Sequence, residues 1–160
     1  MRREGEIALP FDPAQRSAAG ITFIGHIRSP WDKGTAPKNL RAARETGHGA
    51  RIELLPDYAA GLTGLAVGHA IQMLYWVDRG QRDLIVQALA HADGPRGTFA
   101  LRSPVRPNPI ALGTVVITSL DLAAGIIGID ATDAYDGTPV LDIKPWIYTV
   151  DVPPGWRPGA

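Results

Sequence analysis

The sequence predicts a mainly β fold: an antiparallel, closed or partly closed β-barrel of about seven short strands with little helix. Three observations carry that reading. Short runs rich in Val, Ile, Thr and aromatic residues recur along the chain, several alternating apolar with polar. Turn signals such as Asp93-Gly94-Pro95 and Ala123-Ala124-Gly125 separate them. Glycine and proline, 18 and 14 of 160 residues, favour turns and short strands over long helices.

In chain order, residues 1–19 carry Pro10 and Pro13 and lack periodicity; they read as an extended arm that packs on a neighbour or stays disordered. Residues 21–28 are the first strand, ended by Ser29-Pro30-Trp31. Residues 32–49 are polar and basic and read as a long loop, a length that points to function. Residues 51–55 form a short strand stopped by Pro56. Residues 57–65 hold one or two helical turns behind Asp57, weakened by Gly61 and Gly64. Residues 69–77 are a longer apolar strand. Residues 82–90 fit a buried strand or a short helix equally on periodicity. Strands follow at 98–102, 110–122, 126–130 and 138–143, with Ala123-Ala124-Gly125 as a hairpin turn. The expected organisation is an arm (1–20), one barrel domain (21–150) and a tail (151–160).

Composition narrows the function classes. An apolar content of 45% with 20% charged residues is that of a soluble globule. The chain holds no cysteine, which excludes disulfides, thiolate nucleophiles and cysteine-based zinc sites. The basic N-terminus lacks an apolar stretch behind it, and no run approaches membrane-spanning length, so the expected location is cytoplasmic. His26, His48, His69 and His91 show no metal-ligand spacing, and no metal is expected, carboxylate-held magnesium being left open. Phosphate-binding glycine motifs and the G-x-S-x-G nucleophile elbow are absent. Net charge is zero, yet residues 28–51 are mostly basic and residues 121–151 mostly acidic.

Two stretches carry the chemistry. Residues 99–111 read F-A-L-R-S-P-V-R-P-N-P-I-A. Pro104, Pro107 and Pro109 fix φ and remove donors, so this is a stiff extended loop presenting Arg102, Ser103, Arg106 and Asn108. Such a loop is a site scaffold or a solvated connection. Residues 133–146 read D-A-Y-D-G-T-P-V-L-D-I-K-P-W. Asp136-Gly137-Thr138 is a tight turn whose glycine permits close backbone approach to a ligand. Asp142 and Lys144 share one strand face, as a structural ion pair or as a polar pocket floor.

Together these stretches resemble the TsaA-like (TrmO) family of tRNA methyltransferases, whose signatures take the forms F-A-T-R-S-x-x-R-P-N-P-I-G and D-x-x-D-G-T-P-V-x-D-I-K-P. I-G-H-I-R-S-P (24–30), A-P-K-N (36–39) and L-Y-W-V-D (74–78) follow in the family's order. The resemblance spans about residues 21–146 and turns the 82–90 segment toward strand. It implies a barrel that binds S-adenosyl-L-methionine outside the Rossmann framework, as a homodimer, and methylates the exocyclic nitrogen of threonylcarbamoyladenosine beside the tRNA anticodon. By matching positions, cofactor contacts are implied for Pro37, Lys38, Asn39, Asp78, Arg102 and Leu112. Asp133, Tyr135, Asp136, Gly137 and Thr138 join them. Asp136 or Asp142 is the expected general base, and Arg106, Asn108 and Lys144 serve substrate or cofactor. The basic 28–51 segment and Arg96 are expected to face the anticodon stem-loop.

Departures from the pattern are Ala111 in place of glycine, Lys38-Asn39 in place of Arg-Gln, and His69 one position early. The best-known bacterial member has an additional C-terminal domain that is not expected within these residues. This keeps two alternatives open: transfer to a small molecule or another RNA, or non-catalytic cofactor binding.

Overall fold

The computed structural model describes residues 2–16, 18–77, 79–89 and 94–157. Asp78, His91 and Asp93, named above, lie outside them. Chain contacts divide into two units, Met1–Thr22 with Trp76–Ala111, and Phe23–Tyr75 with Leu112–Ala160.

The second unit is a barrel. Its strands are β2 (Gly25–Arg28), β3 (Ala50–Leu54), β4 (Ala70–Trp76), β7 (Ile110–Asp121), β8 (Ile126–Ile129) and β9 (Pro139–Pro145). Among the described residues these six close in the order β2-β3-β8-β7-β4-β9, and β9 pairs back onto β2. β2–β3, β2–β9, β3–β8, β4–β9 and β7–β8 pair antiparallel. Alternation decides which side chains fill the barrel. Ile27, Ile52, Ile71, Met73, Ile127, Ile129 and Val140 point inward and are fully buried. Their neighbours His26, Arg28, Arg51 and Glu53 therefore point outward, in the register His26 opposite Glu53 and Arg28 opposite Arg51.

The first unit holds a three-stranded sheet in the order β1 (Ile7–Ala8), β5 (Leu84–Gln87), β6 (Arg96–Gly97). Residues 7–8, expected within a free arm, pair with β5. The ambiguous 82–90 segment contains strand β5, as the family pattern implied.

Three further expectations change. The 32–49 loop contains helix α1 (Leu40–Glu45), because Asn39 caps it: its side chain accepts from the Ala42 N–H at 2.9 Å. The expected strand at 98–102 is instead a 3-10 turn over Thr98–Ala100. Thr98 turns its hydroxyl inward, donating to Leu84 O at 2.9 Å, and is fully buried. A short helix α2 (Tyr148–Asp151), not expected, joins the barrel to the tail and is held by Asp151 Oδ2 accepting from the Ile147 N–H. The helical turns after Asp57 are a 3-10 segment over Pro56–Leu62, with Pro56 at its first position. The hairpin turn at 123–125 forms as expected, with Gly125 at φ 67°.

Candidate active site

The loop between β8 and β9 is tied down at both ends. At its start, Tyr75 rises from β4 inside the barrel, 5% exposed, and its Oη donates to Asp133 Oδ1 at 3.0 Å. Gly113 lies on the inward face of β7, where a Cβ would stand 3.1 Å from Met73 Cε and 3.7 Å from the Tyr75 ring. The missing side chain leaves Tyr75 its place.

At the loop's far end the Asp136 and Gly137 N–H groups donate to Trp31 O at 2.8 Å and Ile27 O at 2.9 Å. Asp136 Oδ1 accepts from the Ser29 N–H at 3.1 Å, while Ser29 Oγ donates to Ala134 O at 2.7 Å. Trp31 Nε1 donates to Thr132 O at 2.7 Å. Gly137 sits at φ 76°, where a side chain is strained, and Thr138 Oγ1 donates back to Tyr135 O at 2.7 Å. The I-R-S-P and D-A-Y-D-G-T motifs are thus one hydrogen-bonded unit. That network positions Asp133, Tyr135, Asp136, Gly137 and Thr138 as a group, with the Asp136 carboxylate exposed.

Other sequence-predicted residues divide by role. Asn39 spends its side-chain oxygen on the α1 cap, with Lys38 exposed and Pro37 half-buried before it. Leu112 is a partly exposed residue of β7. Asp142 and Lys144 form an ion pair at 2.6 Å, opposite Leu74 and Gln72 on the outer face of β9. Asp142 Oδ1 also accepts from the Ile143 N–H at 2.9 Å.

In the other unit the proline loop is braced by side chains, not by proline alone. Buried Gln87 donates from Nε2 to Val105 O at 2.6 Å and to Thr98 Oγ1 at 2.8 Å. Arg82 Nε donates to Pro107 O at 2.8 Å. Arg106 folds back on its own loop, Nη1 donating to Leu101 O at 3.2 Å and Ser103 O at 3.0 Å. Arg102 and Asn108 are exposed on this braced segment. Asp78 lies outside the described residues.

Sequence reasoning missed Tyr75, Ser29 and Gly113 as site-building residues. Tyr75 and Ser29 each stand inside a quoted motif, and period-2 alternation with Ile71 and Met73 already turns Tyr75 inward. Only the barrel closure shows what it meets there.

Beside the loop, on the outer face, Glu53 bridges two arginines. Its Oε2 accepts from Arg28 Nε and its Oε1 from Arg51 Nε, each at 2.8 Å. The hydrogen bond from Arg28, then that from Arg51, holds the Glu53 carboxyl below the ordinary glutamate range. The same bond raises Arg28. Asp32 is also lowered, by the Gly34 N–H and then the Thr35 hydroxyl. Among the described residues no cluster of three or more His, Cys, Asp or Glu is arranged to hold a metal ion. No helix there is long and apolar enough to cross a membrane.

A closed antiparallel barrel joined to a braced R-S-P-V-R-P-N-P loop and a pinned D-A-Y-D-G-T loop defines a TsaA-like domain. The chain belongs to the family described as the tRNA-methyltransferase O N-terminal domain, whose model matches residues 26–152. A probable S-adenosyl-L-methionine-binding protein of Archaeoglobus fulgidus is 39% identical over 129 residues, covering 80% of this chain and 34% of that protein. The probable S-adenosyl-L-methionine-binding protein VirR of Rhizobium radiobacter is 34% identical over 142 residues, covering 89% and 77%. The solved structure of TrmO from Pseudomonas aeruginosa superposes with a TM-score of 0.65 at 29% identity, covering 89% of this chain and 62% of that one. The chain thus spans about a third of the Archaeoglobus protein and under two thirds of the Pseudomonas one.

Proposed function

We propose that this domain binds S-adenosyl-L-methionine and directs methyl transfer to the exocyclic nitrogen of threonylcarbamoyladenosine in the tRNA anticodon loop, acting in the cytoplasm as a homodimer. The observation that carries the reading is the pinned 133–138 loop, formed by the residues that match the family signature.

The residues present fit the cofactor. Its ammonium, sulfonium and ribose hydroxyls call for carboxylate and carbonyl acceptors, which Asp133, Asp136 and the open backbone at Gly137 supply. Its carboxylate calls for a cationic group, which Lys38 offers from the segment before α1. When bound, the cofactor supplies an activated methyl group.

The chain's own work is alignment and proton removal. Tyr75 fixes Asp133 from inside the barrel, so that carboxylate keeps one orientation and one free oxygen. An N-acylated adenine amine attacks only as its proton leaves, and Asp136 is assigned to take it. Asp136 suits that role better than Asp142. Its nearest cation is Arg28 Nη1 at 3.9 Å, whereas Asp142 is locked to Lys144 at 2.6 Å.

Incubating the protein with methyl-labelled cofactor and total tRNA, then digesting to nucleosides for mass spectrometry, tests the proposal. Label in methylated threonylcarbamoyladenosine is the expected result. Cofactor binding without label in any RNA would instead support a binding module, which the names of the archaeal and VirR relatives favour.

A further inference from the structure

We propose that the outer barrel wall around Gly128 is a phosphodiester-binding site for the RNA strand whose base reaches the 133–138 loop; this rests on RNA being the methyl acceptor. The register builds one row across four strands. Arg28 lies opposite Arg51, Arg51 opposite Gly128, and Gly128 opposite Ser119. Because Gly128 has no side chain, the row opens into a depression of about 810 Å³.

The depression is lined by Arg28, Arg51, Ser29, Thr118 and Ser119 as donors, with the Asp136 carboxylate and apolar residues beside them. A bulge between Ile117 and Ser119 leaves Thr118 and Ser119 both exposed, and a Cβ on Gly128 would run into both hydroxyls. Arg28 and Arg51 form the opposite wall. Two arginines facing each other across a strand pair repel, and Glu53 between them offsets that repulsion. Glu53 lies outside the lining and accepts from the Nε of each, while both arginines line the depression. Asp136 is itself a lining residue and its Oδ2 lies 3.9 Å from Arg28 Nη1, which leaves Arg51 the stronger anion site.

Guanidinium and hydroxyl donors are the groups that grip RNA phosphates. Among the described lining residues there is no aromatic ring to stack a base and no carboxamide to read one. Two arginines also disfavour a sulfonium cofactor. The site therefore suits an anionic backbone group, one step along the strand from the base handled at Asp136.

The test measures binding of a fluorescent anticodon stem-loop RNA by anisotropy at several salt concentrations, with cofactor affinity followed by calorimetry. Arg51→Ala is expected to weaken RNA binding about tenfold and to flatten the salt dependence by about 0.7–0.9 in log–log slope, one released counterion. Arg51→Lys keeps the slope and loses less affinity, because charge remains while the fork is gone. Ser119→Ala weakens RNA binding without changing the slope. Cofactor affinity stays at the wild-type value in all three. Wild-type affinity and slope in Arg51→Ala would overturn this site and leave the RNA reading standing, as would a loss of cofactor affinity with RNA binding intact. A wild-type protein that binds cofactor but no RNA would overturn both.

Discussion

Tyr75 Oη donates to Asp133 Oδ1 at 3.0 Å from within the barrel, so the 133–138 loop hangs on the core. Tyr75→Phe removes the donor and keeps the ring beside Gly113. A hydrogen bond to a charged group contributes about 1.5–3 kcal/mol, and the loss should appear in urea unfolding near the lower end because Asp133 is partly solvated. Cofactor affinity should fall in the same variant. An unfolding midpoint and affinity both equal to wild type would show that Tyr75 only fills space.

Gln87 decides the shape of the proline loop. It is 3% exposed and serves Val105 O and Thr98 Oγ1 together. Gln87→Leu leaves the part-buried Val105 carbonyl without this donor and takes one bond from the Thr98 hydroxyl, which still donates to Leu84 O, a cost of about 1–3 kcal/mol at most. Arg106→Ala, which breaks two bonds to the loop's own carbonyls, should likewise lower the melting temperature. Its effect on cofactor binding follows from the loop. Arg106→Ala with wild-type melting but abolished cofactor binding would reassign Arg106 to direct ligand contact.

Much of this was legible in the sequence, for a physical reason. Strands such as 70–76 and 25–28 advertise their faces by alternation, and the two motifs mark loops by proline and Asp-Gly chemistry. What stayed hidden depends on partners far away in the chain. The strand expected at 98–102 looked apolar and β-rich, yet Thr98 is drawn inward by Gln87 and Leu84, which no local pattern records. Helix α1 is only six residues long and sits in a polar, basic stretch that reads as loop; its one local signal, the cap at Asn39, coincides with a residue the family pattern assigns to the cofactor. The Arg28–Arg51 pairing needs the β2–β3 register, which the sequence does not state.

Asn39 permits a clean separation of those two roles. Asn39→Ala removes the cap on α1 and should destabilise by about 1 kcal/mol, whereas Asn39→Asp retains a capping oxygen and should not. Thermal melts of both variants check this. If Asn39→Asp melts like wild type and loses cofactor affinity, the amide nitrogen is the ligand contact.

Glu53 gives the outer face an acid sensitivity. Its folded-state pKa is depressed by Arg28 and Arg51, so its contribution to stability is fully present above the ordinary glutamate range. That contribution is lost as pH falls through the depressed folded value. The melting temperatures of wild type and Glu53→Gln should therefore differ at neutral pH and converge in acid. A gap that widens on acidification would contradict the sign.

Asp136 and Asp142 are the two carboxylates that the reaction must tell apart. Asp136→Asn keeps an oxygen for the Ser29 N–H, so the loop survives, but the group no longer accepts a proton at neutral pH. General-base loss costs typically ~10²–10⁴-fold, and turnover at saturating cofactor should fall within that range. Asp142→Asn breaks an exposed ion pair with Lys144 on the outer face of β9, worth about 0–1 kcal/mol, and should leave turnover near wild type. Single-turnover methyl transfer with saturating cofactor reads both variants directly. If Asp142→Asn is the variant that stops transfer and Asp136→Asn is not, the proton leaves from the β9 side and the assignment of the base is reversed.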